Sequence, residues 1–318
     1  MTDVDADDAT DGAALDGLAV ERALDIVVED DDNPDEVRET LGIVAENGVV
    51  SREAVDDAIG NASMVVSTAE TRVELAADKI DSAREAATAV SDIAFVSGRV
   101  DNFEARVDAI EQRADDLGTA LQAVVEMKAD GDLYEIARRI RRVTNAATEL
   151  QRAADDFQLG LDSFEDWLTN PDRRVEELAD DVDALADSVS ELDDAVENLD
   201  ANASDPDSEA AKRWAAAMVR HRVLSLMRTD LRAELDAVRT WAERDDLTSP
   251  AEVERRLDDI AAEHAAVGDR LDARAAPDWT ARFDEQLTAI EEALGEMEPP
   301  VVWPDVEAVV EEHRPEVE

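Results

Sequence analysis

The chain contains no cysteine, which excludes disulfides, thiolate catalysis and thiolate-bound metals. Aromatic residues amount to 3% of the sequence, so a hydrophobic core must be filled mainly by Ala, Val and Leu. Lysine occurs three times, at Lys79, Lys128 and Lys212, and histidine three times, at His221, His264 and His313. No run of about 18 or more apolar residues exists, so no segment reads as a membrane-spanning helix. Met1 to Gly12 is acidic and lacks the basic-then-apolar pattern of a signal peptide, so a cytoplasmic chain with no membrane insertion is expected. Phosphate loops, dinucleotide fingerprints and nucleophile elbows are missing as well. The sequence therefore presents no catalytic, cofactor-binding or metal-binding residue set, and a non-enzymatic protein without cofactors is expected.

What the chain has in excess is negative charge. Asp and Glu number 82 against 31 Lys and Arg, for a net charge of -51. Such a surface repels itself and destabilises the compact state at low ionic strength. In roughly molar salt the Debye length falls to about 3 Å and the repulsion is screened. The composition fits a halophilic protein in a salt-filled cytoplasm. It also argues against nucleic acid and anionic membranes as partners.

The second abundant feature is helical periodicity. Val175, Leu178, Val182, Leu185, Val189, Leu192, Val196 and Leu199 alternate at steps of three and four, with Val at one seam position and Leu at the other. That is a coiled-coil seam. A second seam runs through Ile93, Val96, Val100, Phe103, Val107, Ile110, Ala114, Leu117, Leu121 and Val124, with Asp108 outside it. A third runs from Leu133 through Ile140, Leu150 and Phe157 to Leu168. An earlier stripe holds Val73, Ala76, Ile80, Ala83, Ala87 and Val90, and its phase slips near Ser91-Asp92, where a joint is expected. Asn170-Pro171 interrupts the third seam, yet the register resumes at Val175, which suggests two collinear segments on one partner face.

The fold class predicted is all-α: a long antiparallel or coiled-coil helical bundle with a small N-terminal helical region and a C-terminal helical segment. Residues 1–17 read as a disordered acidic leader. Residues 18–66 read as three short helices, with Asn33-Pro34 starting the second, Asn47-Gly48 stopping it and Ser51 capping the third. Residues 68–200 form the long bundle, Asn202 to Asp207 a linker, and residues 208–318 the C-terminal amphipathic helices. No strand is predicted. Small seam residues favour a slender bundle over a globule with a deep pocket.

Several clusters carry charge or chemistry. Arg99, Arg106 and Arg113 flank one side of the second seam, and Glu104 and Glu111 the other. In a parallel homodimer Arg99 would face Glu104 of the second copy and Arg106 would face Glu111. In an intramolecular bundle the same residues are solvated ions, and the spacing leaves both arrangements open. Arg213, Arg220 and Arg228 lie beside a stripe of Leu224, Leu231 and Val238, where they either dock an acidic partner or neutralise acidic neighbours. Arg138-Arg139-Ile140-Arg141-Arg142 surrounds a seam isoleucine and reads as a solvated face. His264 occupies a seam position between Ile260 and Val267, and both it and His221 read as core-edge histidines. Asp3-Val-Asp5-Ala-Asp7 imitates the start of a calcium loop, but Asp8 stands where that loop needs glycine. Val44 to Ile59 could form a helix-turn-helix, yet Glu53, Asp56 and Asp57 against Arg52 would repel DNA.

The stretches Pro34-Asp-Glu-Val-Arg-Glu-Thr-Leu41, Val50-Ser-Arg-Glu-Ala-Val-Asp-Asp-Ala58, Ser67-Thr-Ala-Glu-Thr-Arg-Val-Glu-Leu75 and Phe164-Glu-Asp-Trp-Leu-Thr-Asn-Pro-Asp172 resemble haloarchaeal proteins called halo transducer protein. The likeness covers roughly residues 18 to 200. It implies signal transduction related to taxis, carried by coiled coils and protein partners, and it supplies no catalytic residue. The glycine-bearing hairpin tip and membrane helices of methyl-accepting transducers are not found here. Glu111-Gln112 and Glu285-Gln286 echo methylation-type acid/amide pairs in a chain already rich in Glu. The expected function is a signalling adaptor or scaffold, with a structural or chromosome-organising protein lacking an ATPase head as the alternative.

Overall fold

The computed structural model describes residues 15–29, 32–199, 205 and 207–313. The calcium-like run, residues 1–14 of the leader and most of the linker lie outside them. The protein is all-α. In chain order the elements are α1 (Val20–Val27), α2 (Pro34–Ile43), β1 (Ala45–Glu46), β2 (Val49–Val50), α3 (Arg52–Ala87), α4 (Ala94–Met127), α5 (Leu133–Thr169), α6 (Pro171–Glu197), α7 (Glu209–Arg244), α8 (Ala251–Arg274), α9 (Pro277–Gly295) and α10 (Trp303–Glu312). No helix among the described residues is long and apolar enough to cross a membrane.

The N-terminal region differs from its sequence reading in three ways. Asn47-Gly48 does not stop a helix. Asn47 (φ 52°) and Gly48 (φ 79°) take consecutive left-handed conformations and join β1 to β2 in an antiparallel hairpin. An Asn-Gly pair between short apolar runs favours that turn because its twist matches the strands. The hairpin also removes the helix-turn-helix, since two strands, not a tight turn, separate α2 from α3. The third short helix is the beginning of α3, which continues without a break past residue 66. The hydroxyls of Thr68 and Thr71 donate to the carbonyls of Met64 and Ser67, so these polar residues are satisfied inside the helix and do not end it. Residues 15–17 of the leader are packed. Leu15 is buried, Gly17 N–H donates to the Val50 carbonyl, and Asp16 accepts from Arg52 N–H.

Contacts divide the chain into two units, one from residues 1–83 with 103–163 and one from residues 84–102 with 164–318. In the first unit α3 and α5 run parallel. Gln151 donates to the Val65 carbonyl, and the pairs Arg72–Asp155 and Lys79–Asp162 repeat one heptad apart on both helices. Helix α4 runs antiparallel to α3, with Lys128 on Asp56 at 2.6 Å and Gly118 beside Glu70. Ile110 is buried and Asp108 exposed, as the heptad register requires.

In the second unit α6 packs on α7 and α8, and α7 packs on α8 and α9. The pairs Arg256–Asp183 and Arg270–Asp193 set α6 parallel to α8. Arg220 on Glu191 (2.5 Å) and the stacking of Arg174 on Trp241 set α6 antiparallel to α7. Leu178, Val182, Leu185, Val189, Leu192 and Val196 are all buried. The seam preserved across Pro171 therefore does not serve one partner face. Its α5 portion up to Ser163 belongs with α3 and α4, and its α6 portion packs on α7 and α8. A heptad pattern records which face is apolar and carries no information on which helix covers it.

The joint expected near Ser91-Asp92 is present. A single 3-10 turn at Thr88–Val90 ends the α3 segment, and α4 starts at Ala94. At the other interruption Asn170 accepts from the N–H groups of Asp172 and Arg173, capping α6 with Pro171 at its first turn. Buried Arg174 donates to the carbonyls of Trp167 and Leu168, which satisfies the end of α5.

Candidate functional site

The second unit holds the least ordinary chemistry in the molecule. Trp167, fully buried near the end of α5, packs against Phe95 (ring centroids 6.4 Å), Phe164 (6.0 Å, stacked) and Trp241 (5.6 Å, edge-on). In an aromatic-poor chain this is a notable concentration of rings. The Arg99 guanidinium lies 5.0 Å from the Phe164 centroid and 4.9 Å from that of Trp167, within cation–π range. Arg99 also sits 3.8 Å from Glu177 of α6.

The Trp167 indole N–H donates to Glu234 Oε1 at 3.2 Å. Glu234 belongs to the apolar stripe of α7 and is only 7% exposed. Burial pushes its carboxyl up to about 7. Arg99 opposes the shift, Asp181 and Glu177 add to it, and the Trp167 bond opposes it. One helical turn earlier, half-buried Asp230 accepts from the backbone N–H of Val301 at 2.9 Å. Burial raises its pKa too, against the pull of that hydrogen bond. Glu177 is raised by burial, with Arg99 pulling the other way. Glu177 thus lies beside a guanidinium stacked on Phe164 and Trp167, while a second guanidinium, that of Arg174, stacks on Trp241 of the same cluster.

The arrangement links α4, α5, α6 and α7 through Arg99, Trp167, Glu177 and Glu234. Among the described residues no three His, Asp or Glu side chains converge to hold a metal ion.

A second centre lies between α7 and α8. The rings of His221 and His264 stack with centroids 4.0 Å apart and an interplanar angle of 11°. His264 is buried and its Nε2 lies 3.1 Å from the His221 carbonyl oxygen. Gly268 makes room for the pair, because a Cβ there would lie 2.7 Å from His221 Nε2. Burial and the facing His221 hold His264 down to about 4, and burial lowers His221 as well. A cleft of about 540 Å³ opens beside them, with the Arg222–Glu291 ion pair (3.0 Å) on its wall.

The buried His264 makes stability depend on acid. The unfolded imidazole binds a proton near 6.5, and the folded one refuses it until about 4. Stability present above pH 6.5 is therefore lost as the pH falls towards 4. Between pH 7 and pH 5 the loss from this residue is about 2 kcal/mol. Urea unfolding of His264→Leu in molar KCl is expected to lack that loss relative to wild type. Parallel pH profiles for the two chains would refute the assignment.

The clusters singled out in the sequence fare differently. Arg99 and Arg106 find intrachain aromatic neighbours, Arg106 at 5.6 Å from Phe103 and Phe157. Arg213, Arg220 and Arg228 do not share one environment. Arg213 is exposed, Arg220 pairs with Glu191, and Arg228 Nε is buried without a hydrogen-bond partner. Arg138 and Arg139 meet Glu135, whereas Arg141 reaches back to α2, donating to the Glu36 carbonyl and Thr40 Oγ1. Gln112 donates to Asp116 on the exposed face of α4. Glu234 and Arg174 escaped the sequence reading. The signal for Glu234 was present, since it shares the apolar stripe of Leu231, Leu235 and Val238. Comparisons with protein-family models, curated proteins and solved structures find no match to this chain.

Proposed function

We propose that this chain is a non-enzymatic signalling adaptor or scaffold, related to taxis, that works through helix packing with protein partners in a salt-filled haloarchaeal cytoplasm. The observation that carries the reading is the continuity of the heptad seams. The apolar seam positions of α4, α5 and α6 are buried almost throughout each helix. Packed helices relay a signal when two arrangements exist and a partner biases one of them. The breaks in the seams, at residues 88–93 and at Asn170-Pro171, are where such a change would be absorbed. The resemblance to halo transducer proteins points the same way.

The test is deletion of the gene in its host. Altered motility responses with normal growth, together with a recurring partner co-purified from salt-grown cells, are expected. Loss of viability or a chromosome-partition defect with normal taxis would replace this reading by a structural, chromosome-organising role.

A further inference from the structure

The segment that follows α9 has no secondary structure of its own, yet its backbone is read by side chains of other helices. Asn102 Nδ2 of α4 donates to the Pro300 carbonyl at 3.0 Å. Asp230 of α7 accepts from Val301 N–H at 2.9 Å. Gly98, one turn before Asn102, faces the Pro300 ring, and a Cβ there would overlap Pro300 Cδ. Val301 itself is buried. One donor, one acceptor, a glycine seat for a proline ring and an apolar seat for the next residue make a groove that specifies a short extended sequence. Polar side chains that satisfy a peptide backbone while pockets take its side chains are the working parts of peptide-recognition sites.

The segment is also held lightly. Helix α10, which continues it, fully buries only Val306. Elements with few buried contacts open at low free-energy cost, independently of the rest of the fold.

We propose that the groove formed by Gly98, Asn102 and Asp230 is a peptide-docking site occupied in cis by Pro299–Trp303, and that a second polypeptide presenting Pro-Pro, two β-branched apolar residues and Trp takes the same seat when this strap is released. The proposal does not depend on the signalling role. It goes beyond that role in naming a site and the chemistry of its occupant.

The test uses the full chain in roughly 2 M KCl and a fluorescent peptide with the sequence of Glu298 to Glu312. Val301→Asp puts a carboxylate into the apolar seat beside Asp230 and should release the strap together with α10, seen as faster cleavage after Glu307 by a glutamate-specific protease. The peptide is expected to bind Val301→Asp at least about tenfold more tightly than wild type, the difference of one good anchor. Adding Gly98→Ala or, more gently, Asn102→Ala should abolish that gain while circular dichroism shows unchanged helicity. Unchanged cleavage in Val301→Asp would mean the strap is a fixed part of the core and overturn the proposal. So would a released strap with no gain in peptide binding, or binding indifferent to both Gly98 and Asn102.

Discussion

Trp167→Ala is expected to lower the unfolding free energy by about 4 kcal/mol. Trp167 is fully buried, touches three other aromatic rings and carries Arg99 on its face. Truncation leaves a large cavity, removes the ring surface under the guanidinium and strips Glu234 of its indole donor. Trp167→Phe separates these contributions. It keeps much of the volume and loses the hydrogen bond, so about 1–2 kcal/mol is expected. Urea denaturation in molar KCl, followed by near-ultraviolet circular dichroism, reads both variants. A cost below about 1 kcal/mol for Trp167→Ala would show that the ring cluster is not the core of the second unit.

Glu234→Gln is expected to do the opposite and stabilise the protein by about 3 kcal/mol at pH 8, and by only about 1 kcal/mol at pH 5. The sign follows from the proton count. The unfolded carboxyl ionises near 4.5, while the folded one keeps its proton until about 7. Stability present below pH 4.5 is therefore lost as the pH rises through 7. Glutamine has the same shape, can still accept from Trp167 and has no charge to desolvate. Equal stabilisation at pH 5 and pH 8 would show that Glu234 is ionised in the fold throughout.

Glu234 and His264 have opposing slopes. Between pH 5 and pH 7 the glutamate loses about as much stability as the histidine recovers, each about 2 kcal/mol. The wild-type chain should therefore show a flat profile in that window as far as these two groups decide it. Glu234→Gln should rise with pH, and His264→Leu should fall. Both residues sit on α7 or α8 in the same unit, and each is an ionisable residue placed in an otherwise apolar stripe.

Much of this was legible in the sequence and some was misread for identifiable reasons. The seam from Leu133 to Leu168 is buried along its length, and the Asn170-Pro171 cap lies where the residue types required it. The Asn47-Gly48 pair was a turn signal assigned to the wrong element, because a helix stop and a hairpin turn both favour left-handed backbone at Asn and Gly. The helix expected to end by residue 66 continues to Ala87 as α3, with the hydroxyls of Thr68 and Thr71 satisfied by the preceding turn. In the sequence Arg99 is a seam-flanking ion, facing either a second copy or solvent. Its aromatic neighbours Phe164 and Trp167 come from sixty-five or more residues away, and no local pattern reports them.

The amino-acid order by itself determined that the chain is helical, which face of each long helix is apolar and where the helices are capped, because these follow from periodicities and side-chain chemistry within a few residues. The charge of -51 likewise follows from composition. Only the tertiary structure decided which seam meets which, that Glu234 faces Trp167 and Arg99, and that Pro300 lies on Gly98. The physical reason is that burial of an apolar stripe is non-directional. Many pairings of similar heptad faces satisfy it about equally, and the choice among them rests on a few specific contacts between residues distant in the chain.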